Sequence, residues 1–509
     1  MSPWNINVLV MVLALNIGVL VLWCFFVGDR RLRFRRLPPG PRGLPIIGNL
    51  HMLGKLPHHS LCELAKEYGP MMLIRLGQKP AIVISSPEAA ELFLKTYDAK
   101  FASRPNHMAA KHLCYESKGI AFTPYGPYWA KMRRLCTTEF LCSSKIESFQ
   151  FMRQQELGHL VDTLKKEEVV DITAKVGSLI EQMTYRMLFG DMDDSFHVKP
   201  LLKEAIRLSA AFNISDYIPY MASLDIQGLN RRMKGVSKAV DEFLEKLIDN
   251  HMEAAGGEHP KGGFLDRMLD LMIKSDGQYC INMDRTNIKA IMTDMLVGAM
   301  DSTTTTIEWA FSELLKHKRV MKKLQEELKN VVGTDKAVKE EDLVKLEYLN
   351  MVIKESMRLH PPGPLLVPRE SMEDVTMDGY YIPNKSWIII NIWAIGRDPN
   401  VWSENAEEFL PERFSGSSVD MQGRDFQLIP FGSGRRVCPG LQMGLTVVRL
   451  VLAQLAHCFN WELPKGMLPS DLDMNEIYGL TVSRANRLLA IPTYRLKGFS
   501  CHGLSIPPC

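Results

Sequence analysis

The chain has no excess of charge. Its 61 Lys and Arg against 58 Asp and Glu leave a net charge near +3 over 509 residues, so nothing marks a nucleic-acid-binding protein. None of the ten cysteines stands in a Cys-x-x-Cys pair. That argues against a zinc site or a disulfide framework and suits free thiols in a reducing compartment. There is no internal repeat, no long linker, and no nucleotide- or flavin-binding motif. Without a break in composition, one large catalytic domain over 51–509 is the simplest organisation, after an anchor over 1–28 and a hinge over 29–50.

Charged side chains are absent from Met1 to Gly28. Val8 to Val27 is a mostly apolar run, and about 20 such residues cross a bilayer core of roughly 30 Å. Arg30, Arg31, Arg33, Arg35 and Arg36 follow, so the positive-inside rule puts the rest of the chain in the cytosol. A cleaved signal peptide is the alternative, but the basic start and the small-residue cleavage site are both missing. Leu37 to Gly48 is a stiff Pro/Gly hinge.

The most informative stretch is Phe431 to Gly440, F-G-S-G-R-R-V-C-P-G. The apolar, proline-free run Leu441 to Phe459 reads as a helix, so Cys438 lies on a Gly-rich loop that opens it. A helix N-terminus and the neighbouring Arg435 and Arg436 favour a thiolate, so a lowered thiol pKa is expected. Gly434 and Gly440 allow tight turning against a flat ligand. A thiolate held this way can be an axial ligand of haem iron.

The pattern F-x-x-G-x-R-x-C-x-G resembles the haem-binding signature of the cytochrome P-450 family, in the style of the plant, membrane-bound A-type enzymes. The resemblance implies a mainly α fold with a small β-rich lobe, and haem b bound through Cys438 within the Phe431–Gly440 loop. Trp129 and Arg133, in W-x-x-x-R, lie one helical turn apart and match the residues that the family places on the haem propionates; Arg369 and Arg436 are expected to join them. Gly298-Ala-Met-Asp301-Ser302-Thr303 resembles the oxygen-activation motif, in which an acid precedes an alcohol. Cleaving dioxygen takes two protons, and a carboxyl beside a hydroxyl can relay them. Ala299 stands where glycine is common and Ser302 where threonine is usual. The hydroxyls from Ser302 to Thr306 could instead simply bond back to helix carbonyls. Glu355-x-x-Arg358 and Pro411-Glu-Arg413-Phe match the family's buried charge cluster, a structural feature.

By the same resemblance, Phe212, Ile214, Ala299, Leu365, Leu366, Val367, Ile477 and Leu480 would line the substrate pocket. They are apolar and suit a terpenoid or a phenylpropanoid-like aromatic, hence a plant specialised metabolite. The implied activity is a monooxygenase of the endoplasmic reticulum membrane. The implied partners are membrane lipid, an NADPH-dependent flavoprotein reductase and also cytochrome b5; an acidic electron donor could dock on the basic surface of Lys131, Arg134 and Lys145. The alternatives are a haem-thiolate isomerase or dehydratase, which needs no reductase, and a non-enzymatic membrane haem protein. Such isomerases usually lack an acid–alcohol pair like Asp301-Ser302.

Overall fold

The computed structural model describes residues 35–190, 199–254, 263–274 and 283–496, with positions 8, 11, 12, 15, 16 and 18. Most of the expected anchor, and most of the Gly-rich stretch 256–263 that reads from sequence as a mobile loop, lie outside the described residues. Helix dominates, as expected, and the strands are short. Hairpin β1 (Met71–Leu76) and β2 (Lys79–Ile84) turns at Gly77, as the alternation predicts. β2 pairs in parallel with β7 (Trp387–Ile390), and β4 (Arg369–Glu370) closes the sheet. Ile82, Ile84, Ile388 and Ile390 face one cluster with Phe93 and Phe101. Met72, Val83, Trp387 and Ile389 face another with Leu61 of α1 (Pro57–Tyr68). Both faces are covered, which is why β7 is apolar without a break.

From sequence, the apolar stretch Leu365–Arg369 reads as a strand and Ser103–Phe122 as loop-like and mixed; the structure corrects both. Leu365 to Pro368 is not a strand; the strand begins at Arg369, because Leu366 takes φ +50 and turns the chain. The stretch after Ser103 is not all loop, since Met108–Leu113 is helical. Asn213-Ile-Ser215 matches a glycosylation sequon, but the Asn213 amide is buried, donates to Asn230 Oδ1 at 2.8 Å and accepts from Ser215 N.

The main core gathers around three helices. These are α2 (Ile172–Phe189), α3 (Arg285–Lys316) and α4 (Leu441–Cys458). Among the described residues, only α4 has the length and apolarity to cross a membrane, and 72% of it is buried inside the protein. It is a core helix. Asp284 caps α3 by accepting from Asn287 N at 2.7 Å. The Thr-rich middle of α3 stays helical because its hydroxyls turn inward. Ser302, Thr304 and Thr306 donate to the carbonyls of Gly298, Met300 and Ser302 at 2.7–2.8 Å.

Near the end of α3, Glu313 binds two imidazoles. His360 Nε2 lies 2.7 Å from Oε1 and His317 Nδ1 3.0 Å from Oε2. Burial raises the carboxyl, but the two histidines outweigh it and hold it down to about 2. A depressed carboxyl stabilises the fold above its unfolded pKa and stops doing so as pH falls through its folded pKa. Stability is therefore expected to fall between about pH 4.5 and 2. Urea midpoints across that window should fall more steeply in wild type than in Glu313→Gln; parallel curves would refute the assignment.

Candidate functional site

The Phe431–Gly440 loop is built by its glycines. Gly432 and Gly434 have φ +71 and +64, and a Cβ at Gly434 would collide with Leu94 O and the Asp98 carboxylate. The expectation for Gly440 differs: its φ is −88, and a Cβ there would stand 4.0 Å from Cys438 Sγ. Phe431 accepts the Cys438 N–H at 2.8 Å through its carbonyl and packs its ring on the core. Two residues separate Cys438 from the first residue of α4, Leu441. Burial pushes the Cys438 thiol up; a backbone bond from Gly440 and the charge of Arg133 oppose it without reversing it. The lowered pKa expected from sequence is not what this site gives, because desolvation outweighs the Gly440 bond and the arginine. A cation bound to sulfur would reverse that balance.

Beside the loop, four arginines converge. Trp129 and Arg133 sit on the helix Pro127–Glu139, as the sequence indicates, and the W-x-x-x-R spacing places both inward. Arg133 Nη2 donates to Val437 O at 2.5 Å, and Trp129 Nε1 to Ile120 O at 3.1 Å.

 Arg436 lies with its guanidinium 4.1 Å over the Trp129 ring and donates to Ala102 O at 2.7 Å and Thr123 O at 2.6 Å. Arg369 donates to Asp98 Oδ1 at 2.5 Å and Ser433 O at 2.6 Å. Arg104, which sequence reasoning missed, donates to Ala121 O at 3.1 Å and Pro368 O at 2.9 Å. Burial and the other three guanidiniums pull Arg104 down, and burial with Arg369 and Arg133 pulls Arg436 down to about 9. Among the described residues, Asp98 is the one carboxylate ion-paired with this cluster. Buried cations in such excess call for anionic partners, and two carboxylates on a planar ligand, such as the haem propionates, fit that need.

The loop that supplies those carbonyls is tied to α3. Asp294 Oδ2 accepts from Ile120 N at 2.6 Å and Ala121 N at 3.0 Å. Burial pushes its carboxyl up to about 6 against those two bonds. One helical stretch further on is Asp301. Its Oδ2 accepts from Thr481 Oγ1 at 2.7 Å, and Thr481 lies 2.9 Å from Thr305 Oγ1. Burial raises the Asp301 carboxyl and Thr481 opposes the rise. Ser302 is not the hydroxyl on this acid: its proton goes to Gly298 O. Thr303 is buried on the same helix. Thr481 was missed because 180 residues separate it from Asp301.

The charge cluster forms as the motifs indicate. Glu355 receives Arg358 at 2.7 and 2.8 Å and Arg413 at 2.8 Å. The apolar residues expected around a substrate are more scattered. Phe212 is exposed and stacks on Tyr217 at 4.9 Å, and Tyr217 packs with Leu365 against the Trp387 side of the sheet. Leu366 packs on the opposite side of that sheet. Val367 and Ile477 are exposed, and Ile214, Ala299 and Leu480 are half-buried. The eight therefore do not form one closed lining: the sheet separates Leu365 from Leu366.

A family model described as cytochrome P450 matches residues 38–489. The chain is 53% identical over 488 residues to cytochrome P450 CYP736A12 of Panax ginseng, covering 94% of this chain and 98% of that protein. It is 43% identical over 447 residues to cytochrome P450 71A1 of Persea americana, covering 86% and 89%. It is 39% identical over 489 residues to desmethyl-deoxy-podophyllotoxin synthase of Sinopodophyllum hexandrum, covering 94% and 96%.

Proposed function

The chain belongs to the cytochrome P450 family, in its plant A-type branch, and is a haem-thiolate monooxygenase; from that premise we propose that it oxidises a small apolar specialised metabolite. Electrons come from NADPH through a separate flavoprotein reductase at the endoplasmic reticulum membrane. The observation that carries the site is the group of four arginines, Arg369 and Arg436 buried and Arg104 and Arg133 half-buried, with one ion-paired carboxylate beside the Cys438 loop.

Haem, when bound, supplies the iron chemistry that puts one oxygen atom of O₂ into the substrate and releases the other as water. Cys438 would provide the thiolate ligand. Arg104, Arg133, Arg369 and Arg436, with Trp129, would hold the two carboxylates. Asp301 is the acid of the relay, its carboxyl raised by burial, and Thr481 orients it by donating to Oδ2. Ser302 and Thr303 stand next to it on α3, where rotation of the Ser302 hydroxyl away from Gly298 O would bring a second proton donor into play. Aliphatic and aromatic substrates both suit the apolar side chains, with terpenoids and phenylpropanoid-like aromatics equally favoured.

The test is NADPH-driven turnover with a plant reductase on a panel of both classes. Oxidised product that depends on reductase and O₂ supports the reading; turnover confined to fatty acids overturns the substrate class. Thr481→Val probes the acid. A hydrogen bond to a charged group is worth about 1.5–3 kcal/mol, so turnover at neutral pH is expected to fall by about tenfold or more. Losing that bond raises the Asp301 carboxyl further, so the pH profile should move upward. An unchanged profile removes Thr481 from the proton path.

A further inference from the structure

Far from the arginines in sequence, a second cluster of chemically active side chains takes no part in that reading. Glu476 opens β9 (Glu476–Tyr478), and its Oε2 accepts from His58 Nε2 and His59 Nε2, each 2.8 Å away. Both histidines lie in the first turn of α1, directly after Pro57. The three ligand atoms all lie within 4.8 Å of one another. We propose that His58, His59 and Glu476 form a divalent transition-metal site of the Zn²⁺ class that clamps β9 to α1.

Two imidazoles and a carboxylate are a donor set that Zn²⁺ takes, leaving a fourth position for water. Tetrahedral donors at bond lengths of about 2.0–2.2 Å stand roughly 3.3 Å apart. The observed contacts need to open by only about half an ångström to reach that spacing. His59 can supply the movement, because its side chain is 42% exposed while those of His58 and Glu476 are 0% and 9% exposed. Two donors are thus held rigidly, and the third gives the ion its way in.

The His58 ring can present a lone pair to an ion. The Glu476 contact puts its proton on Nε2 while the site is empty, and Nδ1, buried without a hydrogen-bond partner, is open to take the proton when an ion displaces it. With the proton on Nδ1, Nε2 becomes a ligand. Trp393 lies 4.1 Å from His59 and 5.5 Å from His58, and Tyr478 lies 5.9 Å from His58, ring to ring. These rings flank the two imidazoles. Arg397 is the opposing charge. Its guanidinium lies 4.0 Å over Trp393, and its Nε is engaged by Glu407 at 3.1 Å, which tempers the repulsion.

The position gives such an ion a consequence. β9 pairs with β10 (Val482–Arg484), and the turn between them carries Leu480 and Thr481. Thr481 is the residue on Asp301. An ion joining β9 to α1 would stiffen the segment that meets the acid.

Full-length haem-loaded protein, made without a histidine tag and stripped with a chelator, is titrated with Zn²⁺ by calorimetry. Wild type should show one saturating event and a raised thermal midpoint. His59→Ala and Glu476→Gln should each bind at least tenfold more weakly and lose the thermal shift, with the reduced carbon-monoxide spectrum unchanged. No saturable uptake by wild type overturns the proposal. So does wild-type affinity in either variant, since the ion would then sit on cysteines or other histidines.

Discussion

Cys438→Ala is expected to remove the strongly red-shifted Soret band of the reduced, carbon-monoxide-treated protein and to lower NADPH-driven turnover to background. The substitution is small, and it keeps the Cys438 backbone bond to Phe431 O. The glycines that shape the loop are untouched, as is the bond from Arg435 N to Asp98. The fold should therefore survive, and the change in spectrum reads the ligand alone. Burial keeps the free thiol protonated against Arg133 and the Gly440 backbone. Metal coordination releases that proton, so the thiolate and the bound iron depend on each other. A red-shifted band that persisted in the variant would place the thiolate elsewhere. Cys458 is buried and its sulfur accepts from Gln454 Nε2 at 3.3 Å, and Cys136 is pushed up to about 12 by burial; neither is an adequate substitute.

What the sequence disclosed depended on distance along the chain. The Cys438 loop, the W-x-x-x-R pair and Glu355-x-x-Arg358 were legible because their partners lie within a few residues and their spacing alone sets the geometry. Arg413 became legible through a second short motif. Arg104, Asp98 and Thr481 were not, since each acquires its role from contacts across a hundred or more intervening residues: Arg369 with Asp98 and Asp301 with Thr481 are 271 and 180 positions apart. Asp294 was in view on the same helix as Asp301, but its purpose, receiving two N–H groups from the 120–121 loop, exists only in three dimensions. The pocket list failed for a related reason. Leu365 and Leu366 are neighbours in sequence, yet the positive φ of Leu366 sends them to opposite sides of the sheet. The thiol pKa went the wrong way because helix polarity and nearby arginines can be read from sequence, whereas the depth of burial cannot.

Glu355→Ala should have the largest effect on stability. Glu355 and Arg358 are both 0% exposed, and Glu355 also receives Arg413 and the Leu410 N–H at 2.8 Å. Removing one partner of a buried pair costs about 3–5 kcal/mol, because it strands the other charge. Domain stability is about 5–15 kcal/mol, so most of the margin is lost. Arg358 would keep the carbonyls of Gly396, Ala406 and Glu408 but no anion, and those carbonyls anchor the segment leading to Pro411-Glu-Arg413-Phe. Arg413→Lys should be milder: the lysine can retain charge beside Glu355, although it loses the fork that reaches Trp402 O and Asn405 O. The measurements are the yield of folded protein, its thermal midpoint, and the carbon-monoxide spectrum of whatever folds. Low yield and a lowered midpoint with the band position unchanged mark a structural role. A stable Glu355→Ala protein whose band had moved would instead connect this cluster to the thiolate, against the geometry that keeps Glu355 bonded to Arg358, Arg413 and Leu410 alone.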